Sequence, residues 1–314
     1  MICGPRSFAV LVALATLTLA ASASAQAEIQ LRLAYSVVLH MESILATVTI
    51  ENGTSQEFAV GETNGNCRLR FDIETEPGRL IPRTDVPMFR QLAVIPPFKS
   101  ATLEFDLLRL YQIRSPGSYS VSARIHGPEG MLVSGRQFLD VVPGLEVLRI
   151  AQTSPDGRRF TYQLRTLARN RQEHLFLRVD EEAAELCHGV FDLGPQVRLL
   201  TPLLRFDRLG RVHVLHQSAP SRFTHSVFEA DGTPVQTVFW TSSPAEIQLR
   251  RTEEGDIVVA GARPYEGDRF VAPMRVQEAT RPPEPVRPNR QPFELPAGYG
   301  PDGRRIEPRV DNQR

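Results

Sequence analysis

Short apolar runs separated by turn-forming residues make up most of this chain after residue 28. Val, Ile, Leu, Phe, Thr and Tyr cluster in these runs, and Gly, Pro, Asp and Asn interrupt them about every eight to fifteen residues. Apolar and polar positions alternate in residues 46–50 (ATVTI) and 103–107 (LEFDL), which is the period of a strand with one buried face. Helical periodicity is nearly absent, so the pattern predicts an all-β protein of sandwich or barrel type.

The first half of this pattern, residues 28–142, predicts seven strands. They are expected at 29–39, 43–51, 68–75, 88–95, 101–107, 118–126 and 131–142. The connections carry turn residues, for example Asn52-Gly53 and Pro116-Gly117, which favour antiparallel neighbours. Seven strands in a segment of this length suit a Greek-key sandwich of two sheets.

One short motif in this half, residues 117–121 (GSYSV), resembles the immunoglobulin-like superfamily. There a Gly-x-Tyr-x-Cys stretch enters the sixth strand, its tyrosine hydroxyl bonds back to the backbone, and its cysteine crosses the sandwich. The resemblance implies that Tyr119 is the corner tyrosine and that Val121 takes the cysteine position. The usual tryptophan of the third strand is replaced by residues such as Leu69, so an aliphatic core is implied. Such modules host many unrelated roles, and the resemblance implies no active site.

The second half begins after a Val-Pro-Gly junction at 142–144 and is predicted to form another β-rich domain over 145–276. Residues 204–214 can be aligned on 249–259, an offset of 45, and a fainter copy begins at Leu167. A period near forty is typical of propeller blades, but three copies would not close a ring. A second sandwich or an open meander is therefore favoured over a small propeller.

The two ends of the chain have compositions of their own. Residues 1–27 combine Arg6, an apolar run at 8–20 and small residues at 21–27, which predicts a secretory signal peptide cleaved after Ala25 or Ala27. The mature chain would then carry no transmembrane anchor. Residues 277–314 are rich in Pro and Arg, and such a tail is predicted to be disordered.

Charge and cysteine content bear on the class of partner and on a possible disulfide. The 36 basic and 36 acidic side chains balance, which argues against a nucleic-acid partner. Two cysteines remain after the signal peptide, Cys67 and Cys187. In an oxidising compartment they would form one disulfide between the two halves, or else remain two buried thiols.

Several common sequence motifs of hydrolases are absent from the chain. Gly-x-Ser-x-Gly, Ser-x-x-Lys, His-Glu-x-x-His and phosphate-binding glycine loops do not occur. The histidines His174, His188, His213, His216 and His225 are interpreted as surface or cross-strand residues, because spacings such as that of His213 and His216 place side chains on opposite faces of a strand. No catalytic residue, metal ligand or cofactor is predicted.

Aromatic and basic residues are concentrated in one predicted hairpin, where they form a candidate binding patch. Its members are Arg222, Phe223, His225, Phe239 and Trp240. Aromatics with arginine are typical of binding hot spots, and they also fill β cores.

The resulting hypothesis is an exported bacterial protein of the periplasm or cell surface. A non-catalytic role in binding, adhesion or scaffolding is expected, with an envelope protein or a glycan as partner. The alternatives are a secreted hydrolase or carbohydrate-active accessory protein with its site in the second domain, and a purely structural envelope protein.

Overall fold

The computed structural model describes residues 27–266, apart from Pro77 and Glu129. Nearly all of these residues lie in strands and their connections, so the all-β prediction is confirmed. The predicted tail at 277–314 and nearly all of the predicted signal peptide lie outside the described residues.

The N-terminal half contains eleven strands and one helical turn. They are β1 (Glu28–Leu33), β2 (Val37–Leu39), β3 (Leu45–Glu51), β4 (Phe58–Gly61), β5 (Cys67–Thr75), β6 (Arg79–Leu80), β7 (Ala93–Ile95), β8 (Ser100–Asp106), α1 (Leu107–Leu110), β9 (Gly117–Gly127), β10 (Gly130–Val133) and β11 (Gln137–Val142). A smaller sheet has the order β1-β3-β8. A larger sheet has the order β2-β11-β9-β5-β4-β7, with β10 paired to β9 and β6 to β5.

The two sheets pack face to face around one core, because their strands alternate as the sequence predicts. In β3, Val48 and Ile50 are fully buried while their neighbours are half-exposed or exposed, and in β5 the same holds for Leu69 and Ile73. These side chains belong to a single hydrophobic cluster that draws on both sheets. The result is a two-layer β structure.

Several predicted strands have different limits in the structure. The segment 29–39 is two strands, because the chain leaves the smaller sheet after Leu33 and joins the larger one at Val37. The segment 131–142 is also divided, and the Ser134 side chain accepts a hydrogen bond from the Ala123 amide between its two parts. The segment 88–95 is a strand only at its end, Ala93–Ile95, and β4 and β6 were not predicted.

Tyr119 makes the contact that its motif predicts. Its hydroxyl donates a hydrogen bond of 2.6 Å to the carbonyl oxygen of Ser115, four residues earlier. The ring is buried in the core of the two sheets, and Val121 lies fully buried beyond it. This bond fixes the loop before β9 against the strand.

The described part of the second half, residues 145–266, contains eleven further strands. They are β12 (Leu145–Thr153), β13 (Arg159–Arg169), β14 (Gln172–Glu181), β15 (Leu186–Pro195), β16 (Leu203–Phe206), β17 (Val212–Ala219), β18 (Arg222–Phe228), β19 (Pro234–Thr241), β20 (Gln248–Arg251), β21 (Ile257–Ala260) and β22 (Arg263–Pro264). Strands β12 to β15 form one meander, β16 to β19 with β22 form a second sheet, and β20 and β21 form a hairpin.

These three β layers stack on one another. Side chains such as Tyr162, Leu177 and Phe228 fill the space between the first two sheets. Leu215, Phe223 and Leu249 belong to a second cluster, between the middle sheet and the hairpin. The second half is thus built of stacked antiparallel sheets, and no barrel forms among the described residues.

The internal echo corresponds to two similar hairpins. Residues 204–214 and 249–259 each contain a strand, a tight turn with a glycine at positive φ, and a second strand; the glycines are Gly210 and Gly255. The same turn occurs at Gly157, between β12 and β13. The fainter copy that starts at Leu167 is therefore misplaced, since its turn is instead the two-residue Asn170-Arg171.

Helix is almost absent from the described part of the chain. The turn Leu107–Leu110 begins at Asp106, whose side chain accepts a hydrogen bond from the Leu108 amide. Among residues 27–266 no helix has the length and apolar character that a bilayer crossing requires.

Candidate binding surface

The aromatic patch predicted from the sequence is divided between the core and half-buried positions. Phe223 and Trp240 are cross-strand partners in β18 and β19, and both pack into the cluster under the β20–β21 hairpin. The Trp240 indole Nε1 is buried and makes no hydrogen bond. These two rings therefore serve mainly as core.

The other three members of the patch lie around this pair. Phe239 is half-buried and pairs with Thr224, so that it faces the opposite side of the sheet from Trp240. The Arg222 guanidinium lies 5.8 Å from the centre of the Tyr265 ring. His225 is buried. The five residues thus do not form one exposed surface.

His225 of this patch belongs to a buried chain of three polar side chains, which also includes His213 and Asp207. His213 and His225 lie on neighbouring strands with their Nδ1 and Nε2 atoms 3.1 Å apart. The second nitrogen of His213 lies 3.5 Å from Asp207, whose carboxylate also accepts hydrogen bonds from the Arg211 amide and guanidinium. All three members of the Asp207–His213–His225 chain are buried.

The electrostatics of this chain favour neutral imidazoles. Burial lowers the pKa of His225 to about 4, assisted by the neighbouring His213, and burial also lowers the pKa of His213. On the other face of β17, burial lowers the pKa of His216 to about 4, and its Nε2 atom lies 3.2 Å from the Pro195 carbonyl oxygen. The described residues bring together no group of three His, Cys, Asp or Glu side chains that could hold a metal ion.

The disulfide between Cys67 and Cys187 does not form in the structure, where both cysteines are free. Cys67 is at the start of β5, next to Gly127, whereas Cys187 packs with Leu39 at the opposite end of the sandwich. Burial raises the pKa of both thiols, that of Cys187 to about 12.

A buried ion pair joins the two halves of the chain. The Arg169 guanidinium donates hydrogen bonds of 2.9 and 2.8 Å to the two carboxylate oxygens of Glu42, and only 3% of the Arg169 side chain is exposed. The guanidinium also lies 3.8 Å from the centre of the Tyr35 ring and 5.0 Å from that of Phe176. Asp192 lies 3.3 Å away and also contacts His174. These contacts hold β13 against the loop between β2 and β3.

Four exposed apolar side chains lie on the solvent face of the larger sheet, which we call the outer face. Phe138 on β11 is 71% exposed and Met131 on β10 is 53% exposed, and Val133 and Leu80 are also exposed. The registers of β10, β11 and β6 place all four on the same side of β9 and β5. Exposed apolar side chains gathered on one face and set among polar residues are typical of an interaction site.

Small side chains keep the middle of the outer face flat. Ser118, Ser120 and Ser122 follow one another along β9 and alternate with the buried Tyr119 and Val121. Serine projects little from a sheet, so a flat partner can approach the backbone here. Phe138 stands directly beside Ser120 in the register.

Charges on the outer face are separated along the strands. Arg68 and Arg70 are exposed near one end of β5, where Arg68 pairs in register with His126. Glu74 lies at the other end, and Asp140 lies at the corresponding end of β11. We call these the basic end and the acidic end. The outer face therefore carries positive charge at one end and negative charge at the other, although the formal net charge of the whole chain is zero.

Ion pairs between neighbouring strands hold the charged side chains of this face in place. Arg124 pairs with Asp72 in the middle, and Arg136 lies 3.6 Å from Glu74 at the acidic end. Arg124 and Asp72 are both half-buried. These ion pairs therefore hold the charged side chains around the apolar residues of the outer face in fixed positions.

Sequence reasoning did not identify the outer face. Residues 131–142 contain apolar side chains on both faces of a predicted strand, and alternation alone does not say which face is covered. The usable signal was Phe138, because it is out of phase with the buried Leu139 and Val141.

Comparison with known proteins gives no family for the chain. No protein-family model matches it, and no curated protein is similar to it at a significant level. Among solved structures it is similar to the sporulation control protein Spo0M from Bacillus subtilis, with 12% identity over 51% of this chain and 82% of that chain. The TM-score is 0.24, which does not indicate a shared fold.

Proposed function

We propose that this chain is an exported, non-catalytic binding or scaffold protein of the bacterial envelope, and that it binds through the outer face. The supporting observation is the exposed apolar group around the serines of β9, with Phe138 as its most exposed member. Burying a phenylalanine contributes about 1.5–3 kcal/mol, so a partner that covers Phe138 gains a usable share of its binding energy there.

An immunoglobulin-like N-terminal module is part of this proposal. The parallel pairing of β2 with β11, the transfer of the chain between sheets after Leu33, and the Tyr119 bond to Ser115 all support it. In such a module the adjacent central strands β9 and β5 form the middle of the outer face, which makes that part rigid. A rigid face loses little conformational entropy on binding.

Export is proposed from the residues before Glu28, which have the composition of a secretory signal. The two free thiols, one buried and one half-buried, are compatible with an oxidising compartment, because a thiol with a raised pKa and limited access reacts slowly.

Site-specific crosslinking in living cells tests the binding proposal. A photoreactive phenylalanine analogue replaces Phe138 in the full-length chain expressed in its source bacterium. A matched variant carries the analogue at Thr102, which is exposed on the smaller sheet. The proposal predicts a defined adduct from position 138 and none from position 102. Equal yields of adduct at both positions, or none at either, would contradict it.

A further inference from the structure

The outer face is complementary to itself. Its basic end and acidic end lie on the same strands, with Arg68 and Glu74 six residues apart on β5. At a rise of about 3.3 Å per residue, these ends are separated by about 20 Å. A surface with opposite charges at its two ends attracts a second copy turned end for end.

We propose that two copies of this chain associate through their outer faces, with the strands of one antiparallel to those of the other. This inference rests on the binding function proposed for the same face and names its partner. The twofold axis would lie in the interface plane, across the strands, at the level of the row formed by Asp72 and Ser122.

Under this symmetry, charged groups of one copy face groups of opposite charge in the other. A row here means the outward-facing residues that lie side by side on neighbouring strands. The axis reverses the order of these rows along the strands and keeps each strand over the same strand of the other copy. Arg70, one row from the axis, then faces Glu74 of the second copy, which is one row away on the other side. Arg68 faces the turn after β5, where Glu76 is exposed. Each contact occurs twice, as an isologous interface requires.

Apolar groups are matched by the same operation. Val133 lies in the row of Arg70, and Phe138 lies in the row of Glu74, both on the side of β9 away from β5. The axis therefore places Val133 of one copy over Phe138 of the other. On the axis Ser122 meets its own counterpart, where its small size allows two sheets to pack at about 10 Å, and Asp72, paired with Arg124 of its own copy, meets Asp72.

The second half of the chain follows the first at one end of the sandwich. It is attached at the acidic end of the sandwich, where the chain passes from Val142 through Gly144 into β12. Antiparallel association places the two second halves at opposite ends of the dimer. The interface covers about three strand spacings, which is at the small end for stable dimers, so a dissociation constant in the micromolar range is expected.

Sedimentation velocity on the mature chain, residues 28–314, tests the inference through a charge-swap experiment. Arg70→Glu and Glu74→Arg each place like charges together twice in the symmetric dimer, so each is expected to weaken association at least about 100-fold. An equimolar mixture of the two variants restores both opposite-charge contacts, and we expect it to form the heterodimer. Arg32→Glu, on the smaller sheet, is the matched control and should dimerise like the unchanged chain.

The mixture separates a lost interface from a damaged fold, because a misfolded variant would not be rescued by another. Dimers of the unchanged chain, monomers of each variant and recovery on mixing would support the inference. An unchanged chain that stays monomeric up to about 1 mM, variants that dimerise normally, or a mixture that stays monomeric would overturn it. If the unchanged chain is monomeric but position 138 still crosslinks to another envelope component, only the self-association is wrong and the proposed function stands.

Discussion

Arg169 and Glu42 are 127 residues apart in the chain, yet they form a two-point ion pair that is almost completely buried. The pair lies between the loop after β2 and the end of β13, beside Tyr35 and Phe176. Its two partners come from different halves of the chain. Their orientation relative to each other is thus fixed by a charged contact as well as by apolar packing.

Removing one partner of this ion pair should destabilise the protein strongly. Arg169→Met leaves the Glu42 carboxylate buried without its cation, and we expect a loss of about 3–5 kcal/mol in the free energy of unfolding. The double variant Arg169→Met/Glu42→Leu removes both charges and should recover most of this loss. Urea denaturation measures both.

The matched control for this prediction is Arg208→Met. Arg208 pairs with Asp256 at 3.2 Å, but both side chains are well exposed, so the change should stay within about 1 kcal/mol. Equal effects of the two arginine substitutions would mean that burial does not set the strength of the Arg169 contact.

Stability should fall as the pH is lowered through the range where histidines titrate. In the folded protein burial lowers the pKa of His216 and of His225 to about 4, well below the ordinary value near 6.5. The unfolded chain therefore binds more protons than the folded one between these values. Each histidine then removes up to about 1.4 kcal/mol of stability per pH unit below 6.5.

Urea denaturation at pH 7.5 and pH 5 measures this effect. His225→Gln should make the free energy of unfolding depend less on pH, because glutamine does not titrate in this range. Stability at pH 7.5 should fall, because the contact with His213 is lost. A free energy of unfolding that is constant or rises towards pH 5 would be inconsistent with buried neutral histidines.

The Tyr119 hydroxyl should contribute measurably to the N-terminal sandwich. Tyr119→Phe keeps the buried ring and removes only the bond to the Ser115 carbonyl oxygen, so a loss of about 0.5–1.5 kcal/mol is expected. Tyr35→Phe is a suitable control, because the Tyr35 ring faces Arg169 through its π surface. If Tyr119→Phe is neutral by thermal and urea denaturation, the corner bond does not stabilise the loop.

Reduction should leave the melting temperature unchanged, because Cys67 and Cys187 are free. Alkylation of the unfolded mature protein without reductant should label two thiols, and labelling of the folded protein should be slow because burial raises the pKa of both. An intact mass lower by two hydrogens, together with a lower melting temperature after reduction, would establish a disulfide instead.

The sequence predicted the strands of the first half best where one face is buried, as in β3 and β8. There, alternation around Val48 and Phe105 follows directly from burial on one side. It predicted the strand limits less well where the chain passes from one sheet to the other after Leu33. An apolar run has the same sequence pattern whether it stays in one sheet or crosses to the second. The strand β4 was not predicted because its four residues are mostly buried and do not alternate.

The candidate site was harder to predict for a related reason. Phe223 and Trp240 are conspicuous in the sequence, yet both are covered by a hairpin from 248–260, whose position depends on contacts distant in sequence. Phe138 is ordinary in the sequence and becomes significant only because no described strand covers the outer face there. Aromatic composition identifies apolar groups, and tertiary packing decides which of them are exposed.

The most direct test of the outer face as a binding surface is hydroxyl-radical footprinting. Oxidation of Met131 and Phe138 is compared between dilute purified protein and protein in the intact envelope, with the exposed loop residue Phe98 as internal reference. We predict that Met131 and Phe138 are strongly protected in the envelope while Phe98 is oxidised equally in both states. Equal oxidation of Met131 and Phe138 in the two states would contradict the proposal that this face binds a partner.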